Sequence, residues 1–157
     1  MRSQRSCTDC TLSCRHNMEI RENEFGADAL MLLWNAVWDG CPSREQVTAA
    51  LAHSIYRAAV YDGGRIVGMA RMIGDLGMCY YIKDVIVHPD YQGRGLGNVL
   101  LTHLLRFIDE NGVPGKEIAV ELCAMPDKMP FYAKHGFQSN EAQRMRLMLC
   151  PGTYKPR

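Results

Sequence analysis

The segment Gln92–Gly97 reads Gln-Gly-Arg-Gly-Leu-Gly and places three glycines between a β-prone run and a helix-forming run. The run before it, Cys79–His88, is rich in β-branched and aromatic residues and is ended by Pro89. Apolar residues after it recur at the spacing of one helix face: Leu96, Val99, Leu100, Leu104, Leu105 and Ile108. A strand, a helix and a further strand in this order predict a crossover between two parallel strands. The chain is therefore expected to contain an α/β unit.

Two helices are predicted nearer the N-terminus. Residues at helical spacing within 27–38 form one apolar face: Leu30, Leu33, Trp34, Val37 and Trp38. Gly40 is expected to stop this helix. Ser43 and Gln46 form a capping-box pattern, which predicts a second helix that runs to about residue 54 and buries Val47, Ala50 and Leu51.

The remaining segments predict strands on either side of the crossover. Met18–Glu22 is a candidate first strand, and Asp62-Gly63-Gly64 lies between two β-prone runs, which is a strong hairpin pattern. The later elements are a strand over 117–124, a short helix over 127–135 and closing strands from Phe137 onward. The order β-α-α-β-β-β-α-β-α-β(β) predicts a mixed sheet of about six to seven strands with helices on both faces.

Composition fits one ordinary globular domain. The chain has 157 residues, of which 47% are hydrophobic and 22% charged, and a formal net charge of +1. This balance gives no electrostatic attraction to nucleic acid or to an anionic membrane, and no apolar run is long enough to span a bilayer. We expect residues 18–157 to form a single domain.

Residues 1–17 differ from the rest because they are polar and show neither helical nor strand periodicity. Cys7, Cys10, Cys14 and His16 are metal-ligand residue types, but they crowd into ten residues without a second ligand pair. We therefore expect a tail with adventitious thiols and no metal. The other four cysteines (Cys41, Cys79, Cys123 and Cys150) are read as free thiols, and this favours a cytoplasmic protein.

Several interpretations of the glycine-rich turn can be compared. It fits a tight strand-to-helix turn without a ligand, or a phosphate site built from turn amides, the helix dipole and Arg94. A dinucleotide fingerprint fails, because Asn98 stands where a third glycine is needed, and a P-loop lacks its Gly-Lys-Ser/Thr.

The segment Asp84–Asn98 closely resembles the acetyl-CoA motif of the GNAT superfamily of N-acetyltransferases, (Arg/Gln)-x-x-Gly-x-(Gly/Ala), with Gln92, Gly95 and Gly97 at its fixed positions. A second match follows. The run Phe131–Phe137, Phe-Tyr-Ala-Lys-His-Gly-Phe, is similar to the C-terminal helix and strand of that family and lies one helix and one strand further along. The two matches together indicate the GNAT fold.

This resemblance implies acetyl-CoA as cosubstrate and a set of site residues. Those implied to bind acetyl-CoA are Val85, Ile86, Val87, Gln92, Gly93, Arg94, Gly95, Leu96, Gly97, Asn98 and Phe131. The Val85 N–H is implied to contact the thioester carbonyl. Tyr132 is implied either to protonate the departing thiolate or to hold the cofactor. Asp84 is the candidate base or a structural carboxylate, and Tyr81 stands where family members often carry a glutamate.

The implied reaction is direct attack of a primary amine on acetyl-CoA in a ternary complex. The acceptor is a small-molecule amine or a protein amine, as in a lysine or N-terminal acetyltransferase. A non-catalytic acyl-CoA-binding regulatory domain is the alternative, favoured by Tyr81 and opposed by Tyr132. Many small GNAT members form dimers, so a homodimer is one expected assembly.

Overall fold

The computed structural model describes residues 18–139, 144–149, 152–153 and 155. Seven strands form one mixed sheet in the order β1-β2-β3-β4-β5-β7-β6. Their bounds are β1 Met18–Glu22, β2 Tyr56–Asp62, β3 Arg65–Gly74, β4 Cys79–Val87, β5 Ile118–Cys123, β6 Gln138–Ser139 and β7 Arg144–Leu149. All neighbouring strands are antiparallel except β4 and β5, which are parallel as the predicted crossover requires.

Helices cover both faces of this sheet, which confirms the predicted fold class. They are α1 Ala27–Val37, α2 Arg44–Ala52, α3 Leu96–Asn111 and α4 Met129–Ala133. One core lies between α3 and the sheet, and its fully buried side chains include Leu100, Leu104 and Ile108. The other core lies on the opposite face, where Leu30 and Leu33 of α1 pack against strand residues.

The two N-terminal helices differ from expectation mainly at their ends. The capping box is formed, since the Gln46 N–H donates to Ser43 Oγ and the Ser43 N–H donates to Gln46 Oε1. Helix α1 stops at Val37, before Gly40, because Trp38 has an extended backbone. Trp38 therefore leaves the predicted apolar face of the helix and is 41% exposed.

The central strand β4 is irregular in its second half. Its register with β3 passes from Lys83 opposite Arg71 to Ile86 opposite Met69, so β4 carries one extra residue. Asp84 lies in this bulge with a left-handed φ of 50°. The pairing of β4 with β5 covers only three residue pairs and ends at Tyr81 opposite Glu121. Beyond that pair the two parallel strands diverge.

Several expectations concern residues outside the described ranges. Residues 1–17 and Cys150 are among them, while Cys41, Cys79 and Cys123 are free thiols as predicted. No helix in the described part of the chain has the length and apolarity that a bilayer span requires.

Candidate active site

The divergence of β4 and β5 opens a cavity of about 570 Å³ through the sheet. Its walls come from the second half of β4, the turn before α3, the start of α3, the end of β5 and α4. The lining residues are Val37, Trp38, Val85, Ile86, Val87, Tyr91, Gln92, Gly93, Gly95, Leu96, Gly97, Asn98, Cys123, Ala124, Met125, Lys128, Phe131 and Tyr132. Among these described residues Lys128 alone has a full charge, so the cavity is largely apolar.

The bulge at Asp84 determines on which face of the sheet each following side chain of β4 lies. Val85 and Val87 pack with the α3 core, whereas Ile86 packs with the α1 core. Val85 has no register partner on β3 or β5 among the described residues. A backbone group at this point is therefore available to a ligand in the gap.

Asp84 itself is held by an ion pair. Arg71 Nε on β3 donates to Asp84 Oδ2 at 2.5 Å, and both side chains are 13% exposed. The Asp84 side chain is not among those that line the cavity. The structure thus gives this carboxylate a partner that stabilises the bulge.

The glycine-rich turn joins β4 to α3, as its sequence predicts. Gly93 and Gly95 have left-handed φ angles of 75° and 84°, which a side chain would strain. Gly95 caps the N-terminus of α3, and Gln92 Nε2 donates to the Val87 carbonyl at 3.1 Å. Within the described residues, the amides of 93–98 donate to no backbone carbonyl. A row of free amides at a helix N-terminus is suited to an anion.

Gly97 and Phe131 are in close contact across the cavity wall. A Cβ atom built on Gly97 would lie 3.2 Å from Phe131 Cζ. The missing side chain thus lets the aromatic ring lie against the first turn of α3. This contact joins the two sequence segments that carry the family resemblance.

Tyr132 lies in α4 and reaches the cavity with little exposure to solvent, at 9%. Its ring contacts Phe131 and Phe137 edge-on, with centroids 4.9 and 6.0 Å away. Burial raises the pKa of the Tyr132 phenol to about 12. The hydroxyl is therefore protonated throughout the physiological range and is able to donate.

Arg94 of the turn and Asn98 of α3 both have contacts with other protein side chains. Arg94 is not a lining residue; its guanidinium lies over the ring of Tyr91, 4.8 Å from the centroid. Asn98 lines the cavity, and its Oδ1 lies 2.9 Å from His135 Nε2. The structure therefore brings together every implied site residue except Asp84 and Arg94.

Sequence reasoning missed several cavity residues. These are Val37, Trp38, Tyr91, Cys123, Ala124, Met125 and Lys128. Most of them are the last residue of a strand or helix or lie within two residues after it, where periodicity does not indicate which side chains face a cavity. Trp38 and Met125 are exposed apolar side chains that line the cavity.

Comparison with known proteins gives consistent results. The model of the acetyltransferase (GNAT) family matches residues 22–137. The chain is 40% identical over 133 residues to an uncharacterised N-acetyltransferase, ycf52, of Porphyra purpurea, which covers 82% of this chain and 70% of that protein.

Solved structures show the same fold. A probable acetyltransferase of Staphylococcus aureus has a TM-score of 0.72 and 26% identity, covering 79% of this chain and 92% of that one. The GNAT family N-acetyltransferase YhbS of Escherichia coli, solved in complex with CoA, has a TM-score of 0.66 and 17% identity, covering 84% and 81%.

Proposed function

The chain belongs to the acetyltransferase (GNAT) family and is an N-acetyltransferase that uses acetyl-CoA, and we propose that it transfers the acetyl group directly to a primary amine held in the same cavity. The single observation that carries this proposal is the gap between β4 and β5, where the glycine-rich turn and Tyr132 line the same cavity. Two substrates bound there would react without a covalent enzyme intermediate.

The residues that line the cavity suit the chemistry of coenzyme A. The amides of 93–98 would hold the diphosphate, because they have no backbone acceptor among the described residues and lie at a helix N-terminus, where Gly93 and Gly95–Asn98 line the cavity. Val85, Ile86 and Val87 would line the pantetheine arm, since all three form the cavity wall. The E. coli neighbour of the same fold was solved with CoA, which supports coenzyme A as the ligand of this proposal.

The Val85 N–H would stabilise the negative charge that develops on the thioester oxygen. The bulge at Asp84 and the loss of pairing after Tyr81 leave Val85 outside both strand ladders. A fixed backbone donor of this kind lowers an activation barrier by about 3 kcal/mol. Most of the remaining acceleration would come from positioning.

Tyr132 would stabilise the departing thiolate with its hydroxyl group. A thiol has an ordinary pKa near 8.5, and burial raises the pKa of Tyr132 to about 12. Full transfer in the ground state is thus unfavourable, because the phenol is the weaker acid. Its hydroxyl would therefore stabilise the leaving sulfur chiefly as a hydrogen-bond donor. The phenol would share its proton with the sulfur as negative charge accumulates there.

The attacking amine must also lose a proton to an acceptor. Asp84 is one residue from Val85, but its carboxylate is paired with Arg71. We therefore assign Asp84 to holding the bulge that exposes Val85, with a water chain carrying the proton from the amine. Loss of the acidic limb of the kcat/KM–pH profile in Asp84→Asn, with the fold intact, would instead make Asp84 the base.

The experiment that tests this function combines binding and turnover. Acetyl-CoA should raise the melting temperature, because its binding adds RT ln(1+[L]/Kd) to the free energy of unfolding. Release of thiol with a panel of small amines and amino-terminal and lysine peptides would then identify the acceptor class. Binding without turnover on any amine would favour a non-catalytic acyl-CoA-binding domain, and absence of binding would exclude both functions.

A further inference from the structure

The hairpin between β2 and β3 is bonded to the segment that leads into the glycine-rich turn. The Tyr91 hydroxyl donates to Asp62 Oδ2 at 2.8 Å. Arg65, on the other side of the hairpin, has its guanidinium NH2 2.9 Å from His88 Nε2. Because a guanidinium can only donate, this imidazole nitrogen is the acceptor. Two side-chain bonds therefore tie one hairpin to residues 88–91.

Tyr91 connects this hairpin to the cavity. It directly precedes Gln92, and it lines the cavity. Its ring also carries the guanidinium of Arg94 at 4.8 Å from the centroid. The same side chain therefore contacts Asp62 through its hydroxyl and Arg94 through its face, and it fixes the approach to the turn.

The turn needs such support because of its glycines. Gly93 and Gly95 both adopt left-handed backbone angles, and glycine loses more conformational freedom on ordering than any other residue. A turn that becomes ordered only when a ligand arrives loses affinity by the cost of that ordering. Bonds that hold residue 91 in place reduce the number of conformations open to the turn before binding.

We propose that the Tyr91–Asp62 hydrogen bond pre-orders the turn 92–97 for coenzyme A and holds Arg94 at its edge, so that Tyr91 and Asp62 are positioning residues for the cofactor. This inference rests on the proposed function, since it concerns the same site. The β2–β3 hairpin thereby has a role in cofactor affinity. It contributes Asp62 but no residue that lines the cavity.

The test is a series of variants measured by calorimetric titration with coenzyme A and by thermal melting without it. Tyr91→Phe removes the hydroxyl and keeps the ring under Arg94, and Asp62→Ala removes the acceptor. Each should raise the Kd for coenzyme A about three- to tenfold, the loss expected for one hydrogen bond. The double variant should do no more than either single one, because both remove the same bond.

Tyr91→Leu should raise Kd further, since it also removes the aromatic face under Arg94. Tyr61→Phe is the matched control, because Tyr61 precedes Asp62 and does not line the cavity. The kcat at saturating acetyl-CoA should stay near the wild-type value in Tyr91→Phe while KM rises.

Three results would overturn the inference, and the last of them can be told apart from the first two. Wild-type protein that binds coenzyme A, with Tyr91→Phe binding equally well, would overturn this inference alone. A lower melting temperature with unchanged Kd would do the same, because it would show a purely structural bond. Wild-type protein that does not bind coenzyme A would overturn the proposed function together with it.

Discussion

Gly97 and Phe131 approach each other so closely that a Cβ on the glycine would lie 3.2 Å from the ring. Gly97→Ala should therefore push the Phe131 ring into the cavity and raise the Kd for coenzyme A about tenfold, a typical effect of overpacking. The stability of the free protein should change little, because alanine also favours the helix by about 1 kcal/mol. Titration calorimetry measures the first effect and urea unfolding the second.

Gly26→Ala provides the control for that substitution. Gly26 is also at a helix start, but a Cβ atom on it would meet no described atom within 4 Å, and it lies outside the cavity. This variant should bind coenzyme A like the wild type. Equal affinity in Gly97→Ala would show that the ring contact has no part in binding.

Gly95→Ala should reduce both stability and affinity. The left-handed φ of 84° makes a side chain cost about 1–2 kcal/mol, and the new methyl group would point into the space where the ligand is expected. Gly115→Ala has nearly the same strain, with a φ of 74°, in a loop outside the cavity. Thermal melting with and without acetyl-CoA should show a lower melting temperature in both variants and a weaker ligand shift in Gly95→Ala only.

Tyr132→Phe should lower turnover by about a hundredfold, the lower end for loss of a proton donor, while coenzyme A still binds. Pre-steady-state thiol release and calorimetry separate these quantities. The buried Tyr61 lies on the other face of the sheet, so Tyr61→Phe is the control. Unchanged turnover in Tyr132→Phe would leave Tyr132 with a cofactor-holding role.

Alkaline stability provides a measurement that does not depend on turnover. Burial raises the pKa of Tyr132 from 10.0 to about 12. The unfolded chain therefore loses this proton first, so the stability due to Tyr132 is complete below pH 10 and is lost as the pH rises toward 12. By pH 11 the loss should be about 1.4 kcal/mol. Urea unfolding at pH 9 and pH 11 measures how much the free energy of unfolding falls between the two. This fall should be smaller by about that amount in Tyr132→Phe than in the wild type.

Cys123 should be protected from alkylation by the cofactor. Its exposed thiol lines the cavity, whereas the exposed thiol of Cys79 does not. Acetyl-CoA, whose sulfur is already acylated, should slow N-ethylmaleimide labelling of Cys123 by the factor 1+[L]/Kd. Peptide mass spectrometry reports both cysteines at once, and equal rates at Cys123 with and without ligand would place the cofactor elsewhere.

Local patterns predicted the parts of this site that lie close together in the sequence. The three glycines of 92–97 indicated a tight turn between a strand and a helix, and, outside the site, Ser43 with Gln46 indicated the start of α2. These predictions succeeded because each depends on the backbone chemistry of a few neighbouring residues.

The parts that depend on distant contacts could not be predicted in the same way. Nothing near Asp84 in the sequence shows that Arg71 pairs with it, or that a non-glycine residue takes a φ of 50° there. Trp38 was assigned to a helix face by its spacing, but the backbone leaves the helix at that residue. The direction of Arg94 depends on Tyr91, whose own position depends on Asp62.

The early end of the β4–β5 ladder has a consequence for the protein when its cosubstrate is scarce. Residues 82–87 of β4 have no partner on β5 in the described part of the chain, so one edge inside the sheet has unpaired backbone groups. Open strand edges recruit other extended chains and promote aggregation. An arm of coenzyme A along this edge would shield it, so the shelf life and cellular abundance of the protein should rise and fall with the acyl-CoA pool.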